Sequence, residues 1–451
     1  MANTYLTRSV SSTGNRRKWT WSGWLKRTRL GSSYIMSSNN DSNQYSMLQF
    51  DSTDGLRYYD YTSNYTAHLK TNRKFRCVFG WYHIVVTYDS AQATAADRIK
   101  FYVNGVQETS FNTSTYPSQD YDSFMNLSGV PHYIGRESGT SYLYGGLMSH
   151  VHYCDGYAYA PSDFGSIDND TGEWNINTAP NVNYGTNGYF MFKDDNSLND
   201  DSGNNNDFTL TGTLTKTQDN PSNIFCTLNP LHIPKSNIIS SFDYGNTRGR
   251  GNSSNGWQRI WGNLGANSGK WWYEVYLIAQ NSSGRLGWDS IDKINNGDDN
   301  YYSGLTIQAT TGSIKGGIVG TNAYSPDSVQ LPADSGGSAS FTQGDYLGMG
   351  IDLDNNTITI YKNGSALATN WSYASYNTSL KASTYGTFVA PSVNYHSSSG
   401  NGNIYQFNFG NGAFAGTQLT GTTYQDSNGQ GVFKYQPPTN YLAFCTKNLN
   451  V

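Results

Sequence analysis

One hairpin occurs twice in this chain of 451 residues, as "IKFYVNGVQ" at 99–107 and as "ITIYKNGSA" at 358–366. In each copy an alternating strand runs into Asn-Gly, a pair suited to the positive φ angles of a two-residue hairpin turn. Each copy also follows another strand-like segment, "WYHIVVTYD" in the first and "DYLGMGIDLD" in the second. The repeat predicts two β units, each with this hairpin central in a pair of packed antiparallel sheets.

The composition favours strands and tight turns over helices. The chain has 36 Tyr, 48 Gly and an aromatic share of 15 %, while charged residues make up only 14 %. Aromatic side chains suit pleated faces and Gly suits turns, whereas Gly and Tyr are mediocre to poor helix formers. We therefore predict an all-β protein with two antiparallel β-sandwich (jelly-roll) domains in tandem and an irregular connector.

The domain boundaries follow from where the strand pattern weakens. Regular strand-like segments fill residues 1–165, which we predict to be the first jelly roll. Residues 166–237 are polar, acidic and rich in turn residues, with a few short strands that partly complete the first sandwich. Residues 238–451 return to strand-like segments and are predicted to form a second sandwich with a C-terminal extension.

The net charge and the cysteine content limit which binding partners and which cellular compartment are expected. The net charge is −4 and the sequence pI is near 6.0, so no overall basic surface for nucleic acid is expected. The cluster "RRKWTWSGWLKRTR" could form a nucleic-acid groove, but the alternation of Trp19 and Trp21 favours a strand. No apolar stretch is long enough for membrane insertion, and the N-terminus lacks a secretion signal. Four widely spaced cysteines indicate free buried thiols and folding in a reducing cytosol.

Several segments carry a family resemblance. The series "WTWSGWLKR", "GWYHIVVTYDS", "RIKFYVNG", "YIGRE" and "YGGLMSHVHYCDG" resembles a laminin G-like or concanavalin A-like lectin/glucanase jelly roll over residues 1–165. The series "GKWWYEVYLI", "RLGWDS", "GDYLGMGIDLDNNTITIYKNG" and "YQFNFG" resembles a SPRY domain over residues 240–415.

The tandem of these two modules resembles structural proteins of tailed bacteriophages, notably those of marine cyanobacteria. The resemblance implies a virion protein that is assembled in the host cytoplasm beside other virion proteins. Homo-oligomerisation, by default with cyclic symmetry, is then expected.

Catalytic patterns are weak in this sequence. A glucanase needs two carboxylates that flank the glycosidic bond, usually on one strand. The chain has four glutamates, Glu108, Glu137, Glu173 and Glu274, and none has a second acidic residue two to five positions downstream. His150, His152 and Cys154 lie at strand spacing and could be a metal trio, although such a run on one face is more often ordinary strand packing. We predict that the protein is not an enzyme.

Acidic loops leave calcium open as a cofactor, and no other cofactor is expected. Lectin-like jelly rolls often hold hard cations in loops rich in oxygen ligands. None of the loops fits the EF-hand spacing, and acidic residues also favour turns. The candidate residues are Asp168, Asp170, Asp194, Asp195, Asp200, Asp201, Asp352, Asp354 and Asn355.

Loops with tyrosine and acidic residues are the candidate ligand-binding sites. Tyrosine rings stack on the C–H faces of sugars, and carboxylates satisfy hydroxyls. The predicted residues are Tyr142 and Tyr144 in "GTSYLYGG", and Asp298, Asp299, Tyr301 and Tyr302 in "NNGDDNYYSG". The alternative is that these tyrosines cover sheet faces or subunit contacts.

The sequence leads to one functional hypothesis and two alternatives. The hypothesis is a non-enzymatic phage surface protein, in a tail fibre, spike or capsid appendage, that recognises host-surface polysaccharide. The first alternative is a capsid decoration or connector without receptor binding. The second is a polysaccharide depolymerase, which would require two carboxylates about 5–9.5 Å apart in an open cleft.

Overall fold

The computed structural model describes residues 4–137, 139, 142–193, 197–231, 241–251, 256–279, 284–291, 305–308, 313–316, 329–330, 341–373, 388–397, 402–414 and 416–449. The chain divides into two compact units, Met1–Leu214 and Thr215–Val451. The regular structure of both is nearly all strand, which confirms the predicted all-β class.

The first unit is built from short strands joined by turns. Its strands are β1 (Tyr5–Ser9), β2 (Lys18–Arg27), β3 (Ser33–Asp41), β4 (Gln44–Phe50), β5 (Leu56–Thr62), β6 (Tyr65–Thr71), β7 (Tyr82–Asp89), β8 (Ile99–Val103), β9 (Val106–Glu108), β10 (Phe111–Thr115), β11 (Pro131–Ile134), β12 (Gly146–Asp155), β13 (Gly165–Ile167), β14 (Trp174–Ile176), β15 (Tyr189–Met191) and β16 (Thr209–Thr211). Two single-turn 3₁₀ helices lie at Ala95–Asp97 and Pro161–Asp163.

These strands form two antiparallel sheets and one small hairpin. The large sheet has the order β10-β6-β5-β4-β3-β11-β1-β16, and the small sheet has the order β15-β12-β2-β7-β8-β9. The hairpin pairs β13 with β14. β15 and β16 belong to these sheets. Both lie within residues 166–237, the segment that the sequence gives as a connector with short strands partly completing the first sandwich.

The core of the first unit lies between its two sheets. Trp19 and Trp21 on β2 are buried there, and Trp19 stacks on Tyr88 with ring centroids 5.0 Å apart. Buried aromatic rings of this size each contribute roughly 2 kcal/mol or more by leaving water. The tryptophan-rich basic segment is therefore a core strand, as its alternation predicts.

The outer face of the small sheet is covered by the chain's own later residues. Val85 and Cys154 on this face pack against Phe164, with Tyr159 and Tyr184 around them. The hairpin of β13 and β14 adds Trp174, whose indole Nε1 donates to Nδ1 of His83 at 2.9 Å.

The second unit repeats the two-sheet arrangement. Its strands are β17 (Ser241–Asp243), β18 (Arg248–Arg250), β19 (Gly256–Trp261), β20 (Lys270–Ala279), β21 (Arg285–Ser290), β22 (Leu305–Gln308), β23 (Ser313–Gly316), β24 (Val329–Gln330), β25 (Tyr346–Asp352), β26 (Thr357–Lys362), β27 (Ser365–Ser372), β28 (Val389–Ser397), β29 (Ile404–Asn408), β30 (Ala413–Phe414), β31 (Thr417–Gln418) and β32 (Leu442–Ala443). One short helix, α1, spans Thr446–Leu449.

One sheet of this unit has the order β17-β18-β29-β20-β25-β26-β27, with β32 pairing in parallel to β20. The other has the order β19-β28-β21-β22-β23-β24, and β30 pairs with β31. Tyr273, Trp288 and Phe407 are buried between the two sheets.

A buried carboxylate holds the C-terminal segment of the second unit. Glu274 on β20 accepts hydrogen bonds from the backbone N–H groups of Lys434 at 2.9 Å and Tyr435 at 2.8 Å, and from Asn408 Nδ2 at 2.9 Å. Burial raises the pKa of Glu274 to about 7. Tyr441 and Phe444 are buried further along the same segment, so it belongs to the unit's packing.

The two Asn-Gly turns are built alike. Asn104 and Asn363 both have positive φ, and each side-chain oxygen accepts the N–H of the preceding strand, from His83 in one unit and Tyr346 in the other, at 2.8 Å. An aromatic ring from later in the chain lies against each turn glycine, Trp174 on Gly105 and Tyr435 on Gly364. The repeated sequence thus encodes the same turn in both units.

All four cysteines are free, as predicted. Three of them, Cys154, Cys226 and Cys445, are buried, but Cys77 is exposed, which corrects the expectation of a buried thiol at that position. Cys77 lies in a turn, where its sulfur accepts the N–H of Gly80 at 3.2 Å.

Among the described residues, no helix combines the length and the apolar character needed to cross a membrane.

Candidate functional site

The outer face of the large sheet carries a second cluster of aromatic side chains, separate from the core. Successive side chains of a strand point to opposite faces. On β4 and β5, Leu48 and Tyr58 point inward and belong to the core. Met47 and Tyr59 point outward and pack together with Tyr34. The alternation of these strands therefore places tyrosines on both sides of one sheet.

We call this outer cluster the tyrosine face, and it consists of Tyr34, Tyr45, Tyr59, Tyr61, Tyr65 and Tyr142. Strand register brings its members together, because Tyr61 on β5 pairs with Tyr45 on one side and with Tyr65 on the other. Tyr142 joins from the loop before β12, where its carbonyl accepts the N–H of Tyr34 at 2.9 Å.

The rings of the tyrosine face are in mutual contact. Tyr45 stacks on Tyr61 with centroids 5.0 Å apart, and Tyr65 meets Tyr61 and Tyr59 edge to face at 5.3 and 5.6 Å. Tyr142 lies 6.4 Å from Tyr34. Such arrangements lie in the range that aromatic pairs prefer, so the rings hold one another in place.

The face has a buried floor and two raised, exposed rings. Tyr34 and Tyr59 are 9 % and 5 % exposed, whereas Tyr65 and Tyr142 are 46 % and 58 % exposed. Burial, aided by the neighbouring Glu137 carboxylate, raises the pKa of Tyr34 to about 12, so its hydroxyl stays protonated at neutral pH. The exposed rings are free to contact a ligand without disturbing the floor.

A guanidinium group lies within the face. Arg57 on β5 sits over the rings of Tyr59 and Tyr65, at 4.2 and 5.3 Å from their centroids. Its Nε donates to Nε2 of His68 and its Nη2 donates to the hydroxyl of Tyr65, both at 2.8 Å. Partial burial, together with the charge of Arg57, lowers the pKa of His68 to about 4.

The same sheet continues toward a second cationic group and a polar cleft. Arg136 lies 4.0 Å above the ring of Tyr5 and 5.6 Å from that of Tyr133. Beyond them, at the β1–β16 edge, a cleft of about 410 Å³ is lined by hydroxyl, amide and charged groups of Thr7, Arg8, Ser9, Ser11, Asn205, Asn206, Asp207 and Thr209.

The residues that the sequence proposed for ligand binding, where the structure describes them, have different environments. Tyr142 is exposed on the tyrosine face, but Tyr144 is half-buried and its hydroxyl donates to the carbonyl of Lys26 at 3.2 Å. Asp298, Asp299, Tyr301 and Tyr302 lie outside the described residues.

The acidic loops use their carboxylates as turn anchors. Asp200 is the fullest case, since its two oxygens accept four donors, the N–H groups of Phe190, Ser202 and Asn206 and the hydroxyl of Ser202. Asp168 and Asp352 likewise accept N–H groups of their own turns. Asp194 and Asp195 lie outside the described residues.

No group of three or more His, Cys, Asp or Glu side chains in the described ranges is placed to hold a metal ion. His152 instead shares a hydrogen bond of 2.9 Å with the Tyr184 hydroxyl, and Cys154 packs against Phe164. His150 lies 5.6 Å from the ring of Phe190. Calcium binding thus remains a prediction that no described cluster supports.

Two of the four glutamates serve structural contacts. Glu108 accepts a hydrogen bond and ion pair from Nε of Arg73 at 2.6 Å, and Glu274 anchors the C-terminal segment. Neither forms the exposed pair that glycoside hydrolysis requires.

The tyrosine face lies mainly on strands, whereas the sequence patterns placed the candidate binding residues in loops. Its signal is nevertheless present in "QYSMLQF", "LRYYDYT" and "YTAHLK". In the first two of these strands the positions facing away from the core hold Tyr, Met, Gln or Arg instead of short polar residues. Strands in which inward core residues alternate with outward aromatic residues are therefore the sequence pattern that indicates the tyrosine face.

Residues 2–158 match the family described as the concanavalin A-like lectin/glucanases superfamily. This match supports the laminin G-like, lectin-like resemblance of the first unit. No curated protein was found to be similar to the chain.

Several solved structures are similar at low identity. The SPRY domain of human HERC1 shares 17 % identity, with 40 % of this chain and 96 % of that one covered and a TM-score of 0.28. A heptameric SAP-like pentraxin from Limulus polyphemus shares 16 %, covering 35 % and 72 %, with a TM-score of 0.27. Domain 4 of the arabinanase AbnA from Geobacillus stearothermophilus, in complex with arabinotriose, shares 16 %, covering 33 % and 65 %, with a TM-score of 0.26. The SPRY resemblance of the second unit stays a prediction.

Proposed function

We propose that the first unit is a non-catalytic carbohydrate-binding module and that the tyrosine face is its binding surface. The observation that carries this proposal is a contiguous set of six tyrosines on an outer sheet face, two of them well exposed. The match to the lectin/glucanase superfamily over residues 2–158 supports it.

The chemistry of the face suits a sugar. A pyranose ring presents C–H groups on its flat face and hydroxyls around its edge, so it stacks on an aromatic ring and hydrogen-bonds at the sides. Tyr65 and Tyr142 offer exposed rings, while Arg57 and His68 beside Tyr65 offer polar groups. Because neighbouring rings already fix Tyr65, binding costs little side-chain entropy.

The test is affinity electrophoresis of the full chain through gels that contain a panel of polysaccharides. Replacing Tyr65 or Tyr142 by Ala should weaken binding roughly five- to tenfold, since a stacked aromatic contact contributes about 1 kcal/mol. The matched control is Tyr157→Ala, which removes another exposed tyrosine, 38 % exposed, from a different part of the unit.

Two outcomes would overturn this assignment. Equal retardation of wild type, Tyr65→Ala and Tyr142→Ala would exclude the tyrosine face as the binding surface. If Tyr65→Ala instead changes the oligomeric state in sedimentation velocity and leaves polysaccharide binding intact, the face is a subunit contact.

We further propose that the module acts on the surface of a tailed-phage virion and attaches to host polysaccharide. Support comes from the tandem arrangement of the two β units and its resemblance to phage structural proteins. Homo-oligomerisation and contacts with other virion proteins belong to the same proposal. Purified protein should bind intact host cells and lose that binding after the surface polysaccharide is stripped.

Binding that is absent on all infected hosts would favour a capsid decoration or connector. Release of reducing ends from a bound polysaccharide would favour a depolymerase.

A further inference from the structure

We infer that the ligand of the tyrosine face is an acidic polysaccharide, whose carboxylate or sulfate group is bound by Arg57. This inference rests on the proposed function and adds the chemical class of the ligand. It starts from the position of one guanidinium group among rings.

The guanidinium of Arg57 is fixed in orientation by its neighbours. The rings of Tyr59 and Tyr65 lie under and beside it at 4.2 and 5.3 Å, and the hydrogen bonds to His68 and Tyr65 at 2.8 Å use Nε and Nη2. No hydrogen bond from Nη1 occurs within the described residues. Two N–H donors on Nη1 therefore remain for a ligand.

The charge of Arg57 lacks a protein counter-ion in the part of the chain that the structure describes. Its two hydrogen-bond acceptors, His68 and Tyr65, are both neutral side chains. Four arginines of the first unit differ, because Arg17, Arg27, Arg73 and Arg76 each pair with a carboxylate within 3.5 Å. Arg16 and Arg98 donate instead to backbone carbonyls, so what distinguishes Arg57 is its place among exposed aromatic rings. A half-buried cation without a partner attracts an anion more strongly than a solvated one does.

The neighbours reinforce this preference for an anion. The lowered pKa of His68 keeps its imidazole neutral at neutral pH, so Nε2 continues to accept from Arg57 and holds the guanidinium in place. Guanidinium groups bind carboxylates and sulfates through paired N–H···O contacts.

The experiment compares one polymer with and without its charge. Affinity electrophoresis of the full chain would use polygalacturonate and its fully methyl-esterified form, with dextran sulfate and dextran as a second pair. Wild type should bind polygalacturonate, dextran sulfate or both about tenfold more tightly than the matched neutral polymer. Increasing salt should reduce that preference.

Variants assign the preference to Arg57. Arg57→Gln should bring the acidic and neutral polymers to equal affinity, and Arg57→Lys should retain part of the preference because it keeps the charge without the planar fork. Tyr65→Ala should weaken binding to both polymers, and Tyr157→Ala should change neither. Thermal unfolding of each variant checks that the fold is intact.

The outcomes separate this inference from the proposed function. Equal binding of acidic and neutral polymers by wild type, or an acidic preference that survives Arg57→Gln, overturns the inference and leaves carbohydrate binding in place. Failure to bind any polymer of the panel or host-cell polysaccharide overturns both. Binding of dextran sulfate alone identifies a sulfate ligand, and binding of polygalacturonate alone identifies a uronate.

Discussion

His83 is a buried side chain that should make the first unit sensitive to acid. Its Nδ1 accepts from the Trp174 indole, so Nε2 carries the proton and donates to the Ser22 hydroxyl at 2.9 Å. Burial lowers the pKa of His83 to about 3. A second proton on the ring would remove the acceptor that Trp174 needs.

The consequence for stability has a definite sign. The folded state keeps His83 neutral while the unfolded chain takes up a proton near its ordinary pKa of 6.5, so stability is lost as pH falls from about 6.5 toward about 3. At about pH 5.5 this loss is roughly 1.4 kcal/mol. The stability advantage of wild type over His83→Gln should shrink by that amount between about pH 7.5 and 5.5.

Urea unfolding of both proteins at the two pH values measures this difference. Other titrating groups are common to both proteins and cancel. An advantage that stays constant, or grows toward acid, would show that His83 is protonated in the folded state.

At the scale of the secondary-structure element, each Asn-Gly turn combines a positive φ angle at its glycine with close contact between that glycine and an aromatic ring. Gly105 has φ +79°, and a Cβ built on it would lie 2.4 Å from the Trp174 ring. Gly129 has the same φ with nothing within 4 Å of such a Cβ. Gly129→Ala should therefore cost about 1 kcal/mol from the left-handed backbone alone, and Gly105→Ala about 1–2 kcal/mol more.

Chemical denaturation of the two alanine variants checks this expectation. Trp174 is tied to His83 and cannot move away without breaking that hydrogen bond, so the extra cost should be accompanied by altered tryptophan fluorescence. Equal destabilisation by the two substitutions would mean that the ring moves aside freely.

The same elements show what sequence patterns can and cannot locate. Both hairpins and the core strand around Trp19 and Trp21 follow from local alternation and turn chemistry. The tyrosine face does not, because it needs the pairing of β4, β5 and β6 in register to bring Tyr45, Tyr61 and Tyr65 together. Cross-strand neighbours depend on which strands pair, and a single sequence leaves that open.

At the scale of the whole molecule, each unit has its own core. The main core of the first unit draws on residues from Leu6 to Phe208, and that of the second on residues from Cys226 to Phe444. Tyr189, Met191 and Phe208 enter the first core after the boundary at residue 165 that the sequence suggested. Losing these three buried side chains would remove several kcal/mol of the free energy that apolar burial contributes to folding.

A fragment of residues 1–214 should therefore fold alone and unfold in one cooperative transition, whereas a fragment of residues 1–165 should not. Near-ultraviolet circular dichroism and thermal unfolding of the two fragments distinguish these states. Native-like packing in the shorter fragment would show that β15 and β16 are dispensable.

The pairing of β1 with β16 has a consequence for how such a unit can be used. Leu6 and Leu210 lie opposite each other in the large sheet, so the first and last strands of the unit are neighbours. A unit whose first and last strands are adjacent can be inserted into a surface loop of another protein without forcing the two ends of that loop apart. For the same reason its ends can be joined and the chain circularly permuted. The first unit should therefore keep its fold, and the tyrosine face with it, when it is inserted into another protein.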